Sequence, residues 1–299
     1  MFTSYFNGRW VPSGEVRIDW NDRGFRFGDA VFDSPRTYAG RIFRLDRHID
    51  RLYNSLSYVR IDPGLDRTEF TSIVEESVGR NRDRLEEVGD FQIYMFVTRG
   101  PGRFATDAGP PSVGVIAYPL PFWRMAPFFE TGAHGVITRT RSYSGETLEP
   151  KLKHQSRLNF ELAEIEANDF DPEAFAVLLD REGNVSEGTF NSIFAVKDGV
   201  LRTPPDDSIL QSVSRETVFD LARRLEIPAS EEPMQPYDLY SADETFVAFT
   251  GPGVLPMTRV DHRQIGDGAP GPITRQLLAA WSEMVGVDIV DQAIRYYQQ

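Results

Sequence analysis

The stretch Leu148-Glu149-Pro150-Lys151-Leu152-Lys153-His154-Gln155 runs into Ser156-Arg157-Leu158-Asn159-Phe160-Glu161-Leu162-Ala163-Glu164-Ile165-Glu166-Ala167, and it holds two of only three lysines in 299 residues. Lysine scarcity is informative, because a lysine amine is the side chain that forms an exchangeable imine with a cofactor aldehyde. Lys197 lies in Ala195-Val196-Lys197-Asp198-Gly199, a hairpin-turn context that suits a solvated lysine. The first part of the stretch reads as extended, so Lys151 and Lys153 face the same way and parity does not separate them. In the second part Leu158, Leu162 and Ile165 fall on one helical stripe, and Leu158, Ala163 and Ala167 widen it. The expectation is a buried helix directly after Lys153.

Outward from that stretch, the chain alternates strands and helices. Asn7-Gly8 is a strong hairpin signal inside Phe6-Asn7-Gly8-Arg9-Trp10-Val11-Pro12. Val31–Tyr38 and Arg41–Leu45 read as a strand pair turned by Ala39-Gly40. An amphipathic helix follows over His48–Tyr58, with Ile49, Leu52, Tyr53 and Leu56 on one face, then a second over Thr68–Leu85. Strands are expected at Phe91–Thr98, Ser112–Tyr118, Ala174–Leu179, Phe190–Val196 and Thr245–Phe249, and helices at Ser214–Leu225 and Thr274–Val285. Pro119, Pro121 and Pro127 interrupt any period, which predicts a boundary there. The expected division is 1–120, a linker 121–130, and 131–299.

Hydrophobic residues make up 40% and aromatic residues 12%, a globular composition. A net charge of -13 argues against nucleic-acid binding and against anionic membranes, both of which need a basic face. No run reaches the roughly 20 apolar residues of a bilayer span. Met1-Phe2-Thr3-Ser4-Tyr5 opens no signal peptide, so the cytoplasm is the expected compartment. Without cysteine there is no disulfide or thiolate metal site, and His48, His134, His154 and His262 are scattered. No metal is expected.

An aldehyde cofactor on Lys153 would need a phosphate site, an acid for its ring nitrogen and a substrate pocket. Ser212-Val213-Ser214-Arg215-Glu216 looks like a helix start with Ser214 as N-cap and amides at the positive end of the dipole. Arg51, on the polar side of the His48 helix, offers a cation. Glu187, in Val185-Ser186-Glu187-Gly188-Thr189, offers a carboxylate that would keep a ring nitrogen protonated.

Six ordered motifs carry a resemblance: Asp22-Arg23-Gly24-Phe25-Arg26-Phe27-Gly28-Asp29-Ala30-Val31-Phe32, His48-Ile49-Asp50-Arg51-Leu52, Lys153-His154-Gln155-Ser156-Arg157-Leu158, Val185-Ser186-Glu187-Gly188-Thr189, Ile209-Leu210-Gln211-Ser212-Val213-Ser214-Arg215, and Ala242-Asp243-Glu244-Thr245-Phe246. Together, over about residues 5–290, the chain resembles the class IV aminotransferases, fold-type-IV enzymes that bind pyridoxal 5'-phosphate. That family includes D-amino-acid and branched-chain aminotransferases, (R)-selective amine transaminases and aminodeoxychorismate lyase.

The resemblance implies an α/β (α+β) fold with a smaller N-terminal α/β domain and a larger C-terminal pseudobarrel domain, in a homodimer. It implies Lys153 as imine-forming lysine and proton shuttle, and Glu187 as partner of the pyridine nitrogen. Arg51, the amides of Val213 and Ser214, and Thr250 would hold the phosphate. For substrate, Tyr94 matches a pocket tyrosine of D-amino-acid enzymes, and Phe32 stands where those enzymes have tyrosine. Arg103 resembles their carboxylate clamp, with Ala105 in place of the accompanying histidine. Arg36 instead resembles the branched-chain arginine, and Lys153-His154 with Arg157-Leu158 is similar to aminodeoxychorismate lyase. The expected reaction is amino transfer from a D-amino acid or (R)-primary amine to a 2-oxo acid. The alternatives are an L-branched-chain aminotransferase and an aminodeoxychorismate lyase.

Overall fold

The computed structural model describes residues 1–297. The chain divides into two compact units, one of residues 1–120 with 152–157 and one of residues 121–151 with 158–299. The Lys153 segment therefore belongs to the first unit, although the sequence division places it in the C-terminal part.

The first unit runs β1 (Thr3–Phe6), β2 (Arg9–Pro12), α1 (Arg23–Phe27), β3 (Ala30–Asp33), β4 (Thr37–Tyr38), β5 (Arg41–Ile42), α2 (Leu45–Val59), α3 (Arg67–Arg80), α4 (Leu85–Val88), β6 (Phe91–Thr98) and β7 (Val113–Pro119). Among the described residues these strands give a five-stranded sheet in the order β2-β1-β7-β6-β3 and a β4-β5 hairpin. Asn7 and Gly8 take positive φ of 48° and 81° in the first hairpin, as its tight turn requires. The expected Val31–Tyr38 strand is broken: β3 stops at Asp33 and pairs with β6, and only β4 pairs with β5. Pro35 lies in the break, and proline cannot donate to a ladder. The Thr68–Leu85 helix also ends early, at Arg80, with Asn81 as its C-cap.

The second unit runs α5 (Phe128–Thr131), β8 (Ala133–Ile137), α6 (Leu158–Phe170), β9 (Phe175–Leu179), β10 (Val185–Gly188), β11 (Ser192–Lys197), β12 (Val200–Thr203), α7 (Val213–Arg224), β13 (Ala229–Glu231), α8 (Pro236–Tyr240), β14 (Glu244–Phe249), β15 (Gly253–Val260), β16 (Arg263–Gln264), α9 (Pro272–Val285) and α10 (Ile289–Arg295). Strand β10 pairs with both β9 and β11. The path β10-β9-β8-β15-β14-β11 thereby closes on itself, while β12 and β13 continue from β11. A closed path removes open edges, which is how small barrels protect their strands.

Helix α6 buries the expected Ala163 and Ala167 but corrects the rest of the expected buried face. Leu158, Leu162 and Ile165 are 72%, 48% and 58% exposed. The buried face is Phe160, Ala163 and Ala167, packed with Val136, Ala174, Ala176 and Leu178. The two alanines let the helix backbone approach the sheet closely, so the smaller residues face inward. The stretch before it is not a strand either: it is a turn and loop with one isolated bridge, His154 to Val31.

Candidate active site

In the first unit, α2 turns Ile49, Leu52 and Leu56 into the core. Beside that apolar face, His48, Arg51 and Ser55 follow one another at helical spacings of three and four. Asp33, at the end of β3, is fully buried against them. Arg51 donates from Nε to Asp33 Oδ2 and from Nη2 to Oδ1, both at 2.8 Å. His48 Nδ1 lies 2.6 Å from the same Oδ1, so this nitrogen carries the proton and donates. Burial alone would push the Asp33 carboxyl up, but Arg51 and His48 outweigh it and hold it far below the usual carboxylate range. Burial likewise pushes His48 below its ordinary value, with Asp33 pulling against it. Arg51 is thus only 12% exposed and aimed, not the solvated residue of a polar helix face.

The Lys153 segment is stitched to this same structure by its backbone. Phe32 donates its N–H to the Lys153 carbonyl at 3.0 Å, and Gln155 donates to the Ala30 carbonyl at 3.0 Å. The Lys153 amide donates to Ser55 Oγ at 3.3 Å. Gly28 permits the approach: its φ is 65°, and a Cβ there would meet Ser156 Oγ at 2.5 Å. The amine of Lys153 then rests 4.7 Å from the centre of the Phe32 ring. Tyr94 packs on that ring at 5.3 Å and its hydroxyl accepts from Gln155 Nε2. Burial pushes the Tyr94 phenol up to about 12. Burial, Arg157 and Lys153 together push His154 down to about 4.

The other two lysines sit differently. Lys151 Nζ is 3.8 Å from Glu149, and Lys197 Nζ is 2.9 Å from Asp243, each side chain 39% exposed. Lys153 is the one that rests on an aromatic ring among buried polar groups.

In the second unit, α7 starts one residue earlier than expected. Its N-cap is Ser212, not Ser214, and the Ser212 hydroxyl accepts from the Arg215 amide at 3.3 Å. Val213 and Ser214 are buried in the first turn, where helix amides are left for an anion. Glu187 sits half-buried on β10, in register with Ser192 of β11. Thr250 opens the turn between β14 and β15.

Two arginines of the expected substrate set are engaged with groups other than the Lys153 amine. Arg36 is 1% exposed; its Nε donates to the Thr37 carbonyl at 2.9 Å and its guanidinium lies 3.9 Å over the Tyr38 ring, with Asp90 at 4.0 Å. Arg103 is exposed on the loop after β6, with its guanidinium 5.4 Å from the ring of its neighbour Phe104.

Comparison with known proteins gives the family. The amino-transferase class IV family matches residues 30–260. A Methanocaldococcus jannaschii protein that carries the name of a branched-chain-amino-acid aminotransferase is 36% identical over 96% of this chain and 99% of its own. The chain belongs to the class IV aminotransferases. Within that family it is also 32% identical to the D-alanine aminotransferase of Bacillus licheniformis, over 92% of this chain and 94% of the relative. Its fold matches the branched-chain amino acid aminotransferase of T.th., complexed with N-(5'-phosphopyridoxyl)-L-glutamate, with a TM-score of 0.85, 25% identity, and 99% and 97% of the two chains covered.

Asp33, Ser55 and Gln155 are not singled out by the sequence, although each holds a residue that is. The spacing of His48, Arg51 and Ser55 along one side of α2 is the signal that could have marked them. Among the described residues no group of three or more His, Asp and Glu is placed to hold a metal, and no helix is long and apolar enough to cross a membrane.

Proposed function

We propose that this class IV aminotransferase uses pyridoxal 5'-phosphate to move an amino group from a D-amino acid or (R)-primary amine to a 2-oxo acid. The observation that carries the reading is the Lys153 amine on the Phe32 ring, with Arg51 fixed nearby in the same unit by buried Asp33. The chain's donor set fits the cofactor: an amine, a preoriented guanidinium, a capped helix start and a strand carboxylate. When bound, the cofactor supplies an electron-withdrawing ring that stabilises negative charge on the substrate carbon.

The side chains do the rest. In the first unit Arg51 would be a phosphate-holding cation, and in the second the Val213 and Ser214 amides and Thr250 offer donors for a phosphate. Glu187 keeps the ring nitrogen protonated. Lys153 Nζ would take a proton from the amine-bearing carbon of the substrate and deliver it to the carbon on the other side of the nitrogen, two bonds away, and the Phe32 ring would limit water around that amine. The enzyme acts as a homodimer, which light scattering would test.

The donor class rests on the Arg23-Gly24-Phe25-Arg26-Phe27-Gly28-Asp29 motif, on the D-alanine relative, and on Arg36 being engaged with Thr37, Tyr38 and Asp90. The second reading is an L-branched-chain aminotransferase, favoured by the Methanocaldococcus relative and by the solved structure with phosphopyridoxyl-L-glutamate. A half-reaction screen separates them. The holoenzyme is mixed with D-amino acids, L-amino acids and (R)- and (S)-amines, and loss of the cofactor's visible band is followed. Faster loss with D-amino acids or (R)-amines is expected; a preference for L-leucine or L-valine would move the assignment to the second reading.

A further inference from the structure

Four arginines of the first unit are candidates to meet a substrate anion, and their placements differ. Arg51 is bonded twice to Asp33, Arg36 is buried against Tyr38 and Asp90, and Arg103 lies on an exposed loop. Arg157 is placed otherwise. Its guanidinium carbon is 5.8 Å from the centre of the Phe32 ring, the ring that carries the Lys153 amine at 4.7 Å. The same ring packs, tilted, against Tyr94, whose hydroxyl accepts from Gln155. Arg157 lies four positions after Lys153, and backbone bonds of residues 153 and 155 to β3 hold the segment that carries both cations.

We infer that Arg157 is the residue that receives a substrate carboxylate and so sets substrate specificity in this enzyme. Resting on the aminotransferase reading above, the inference names one group within that same site. Two cations over one aromatic ring make a small positive surface bounded by a phenol and an amide. A carboxylate suits that surface, because the planar fork of arginine offers it two parallel N–H donors. A substrate bound beside the Lys153 amine would carry its carboxylate a few bonds away, a reach comparable to the span of the ring that both cations meet. The Phe32 ring shields the pair from water on one side, which strengthens the contact.

The carboxylate is either the one on the reacting carbon or a distal one of a dicarboxylic substrate, and three donors distinguish them. Half-reaction rates of the holoenzyme are measured against concentration for (R)-1-phenylethylamine, D-alanine and D-glutamate, with the L-amino acids substituted if the donor screen selects that series. Arg157→Gln should raise the half-saturating concentration of carboxylate donors by roughly tenfold or more, the scale of one lost charged hydrogen-bond partner, and that of the amine by less than about twofold. Weakening of both amino acids assigns the reacting carbon's carboxylate; weakening of glutamate alone assigns the distal one. Arg157→Lys, which keeps the charge and loses the fork, should fall between, and it serves as the test if Arg157→Gln does not fold. Calorimetric binding of glutarate to wild type and variant gives a readout independent of turnover, with the same loss expected. Equal changes for all three donors, or unchanged glutarate binding, overturn the role of Arg157. A wild-type protein that retains no cofactor, or reacts with no donor, strikes instead at the aminotransferase reading.

Discussion

Asp33 accepts Arg51 with both carboxylate oxygens, at 2.8 Å each, from a position with no solvent exposure. A bidentate pair of this kind fixes the guanidinium plane as well as its charge. The strand supplies the acid and the helix supplies the base, so the pair also fixes the end of β3 against α2. His48 Nδ1 and the Ser34 amide also donate to Oδ1, at 2.6 and 2.7 Å. The proposed phosphate cation is thereby preoriented before anything binds.

Asp33→Ala should therefore damage both fold and cofactor retention. Removing one member of a buried ion pair leaves the other uncompensated and costs roughly 3–5 kcal/mol. Urea unfolding should show a loss of that size, and equilibrium titration with pyridoxal 5'-phosphate should show weaker binding. Wild-type stability with wild-type cofactor affinity would mean that Arg51 does not depend on Asp33.

Helix α6 makes the opposite kind of prediction, because its larger aliphatic residues face outward. Phe160→Ala should cost about 3–5 kcal/mol by urea unfolding, as for an emptied core site. Leu158→Ala, at a residue 72% exposed, should stay within about 0.5 kcal/mol. Comparable losses at the two positions would contradict the burial of Phe160, Ala163 and Ala167.

That helix also shows what the sequence could not convey. A periodicity argument weights Leu158, Leu162 and Ile165 above alanine, since large side chains bury more apolar area. The sheet under α6 is itself lined by Ala174 and Ala176, and close approach there favours Ala163 and Ala167. That preference belongs to the partner surface, which lies elsewhere in the chain. By contrast α2 is legible because its own large residues, Ile49, Leu52 and Leu56, are the ones buried. The site divides the same way. Lys153 stands out through scarcity and motif, whereas Asp33 acquires its role only when the end of β3 meets Arg51, 18 residues further on. The cap of α7 is ambiguous in the sequence because both Ser212 and Ser214 suit that position, and only the Ser212 bond to Arg215 decides it.

Acidification should act through His154. Its folded value, about 4, lies below its ordinary 6.5, so the unfolded chain binds the proton more readily. The stabilisation is fully present above pH 6.5 and is lost as pH falls toward 4, up to about 3 kcal/mol for a shift of this size. Unfolding of wild type and His154→Gln between about pH 7.5 and about 4.5 should show a shallower acid loss in the variant. Parallel curves would show that His154 does not titrate in the fold as placed.

Of the three lysines, Lys153 is the one proposed to carry the cofactor. Borohydride reduction of the holoenzyme followed by peptide mapping tests it most directly, since reduction makes the lysine–cofactor bond permanent. The pyridoxyl label is predicted on Lys153, with Lys151 and Lys197 unmodified. A label on Lys151 or Lys197, or no label on a protein that shows the cofactor's visible band, would contradict it.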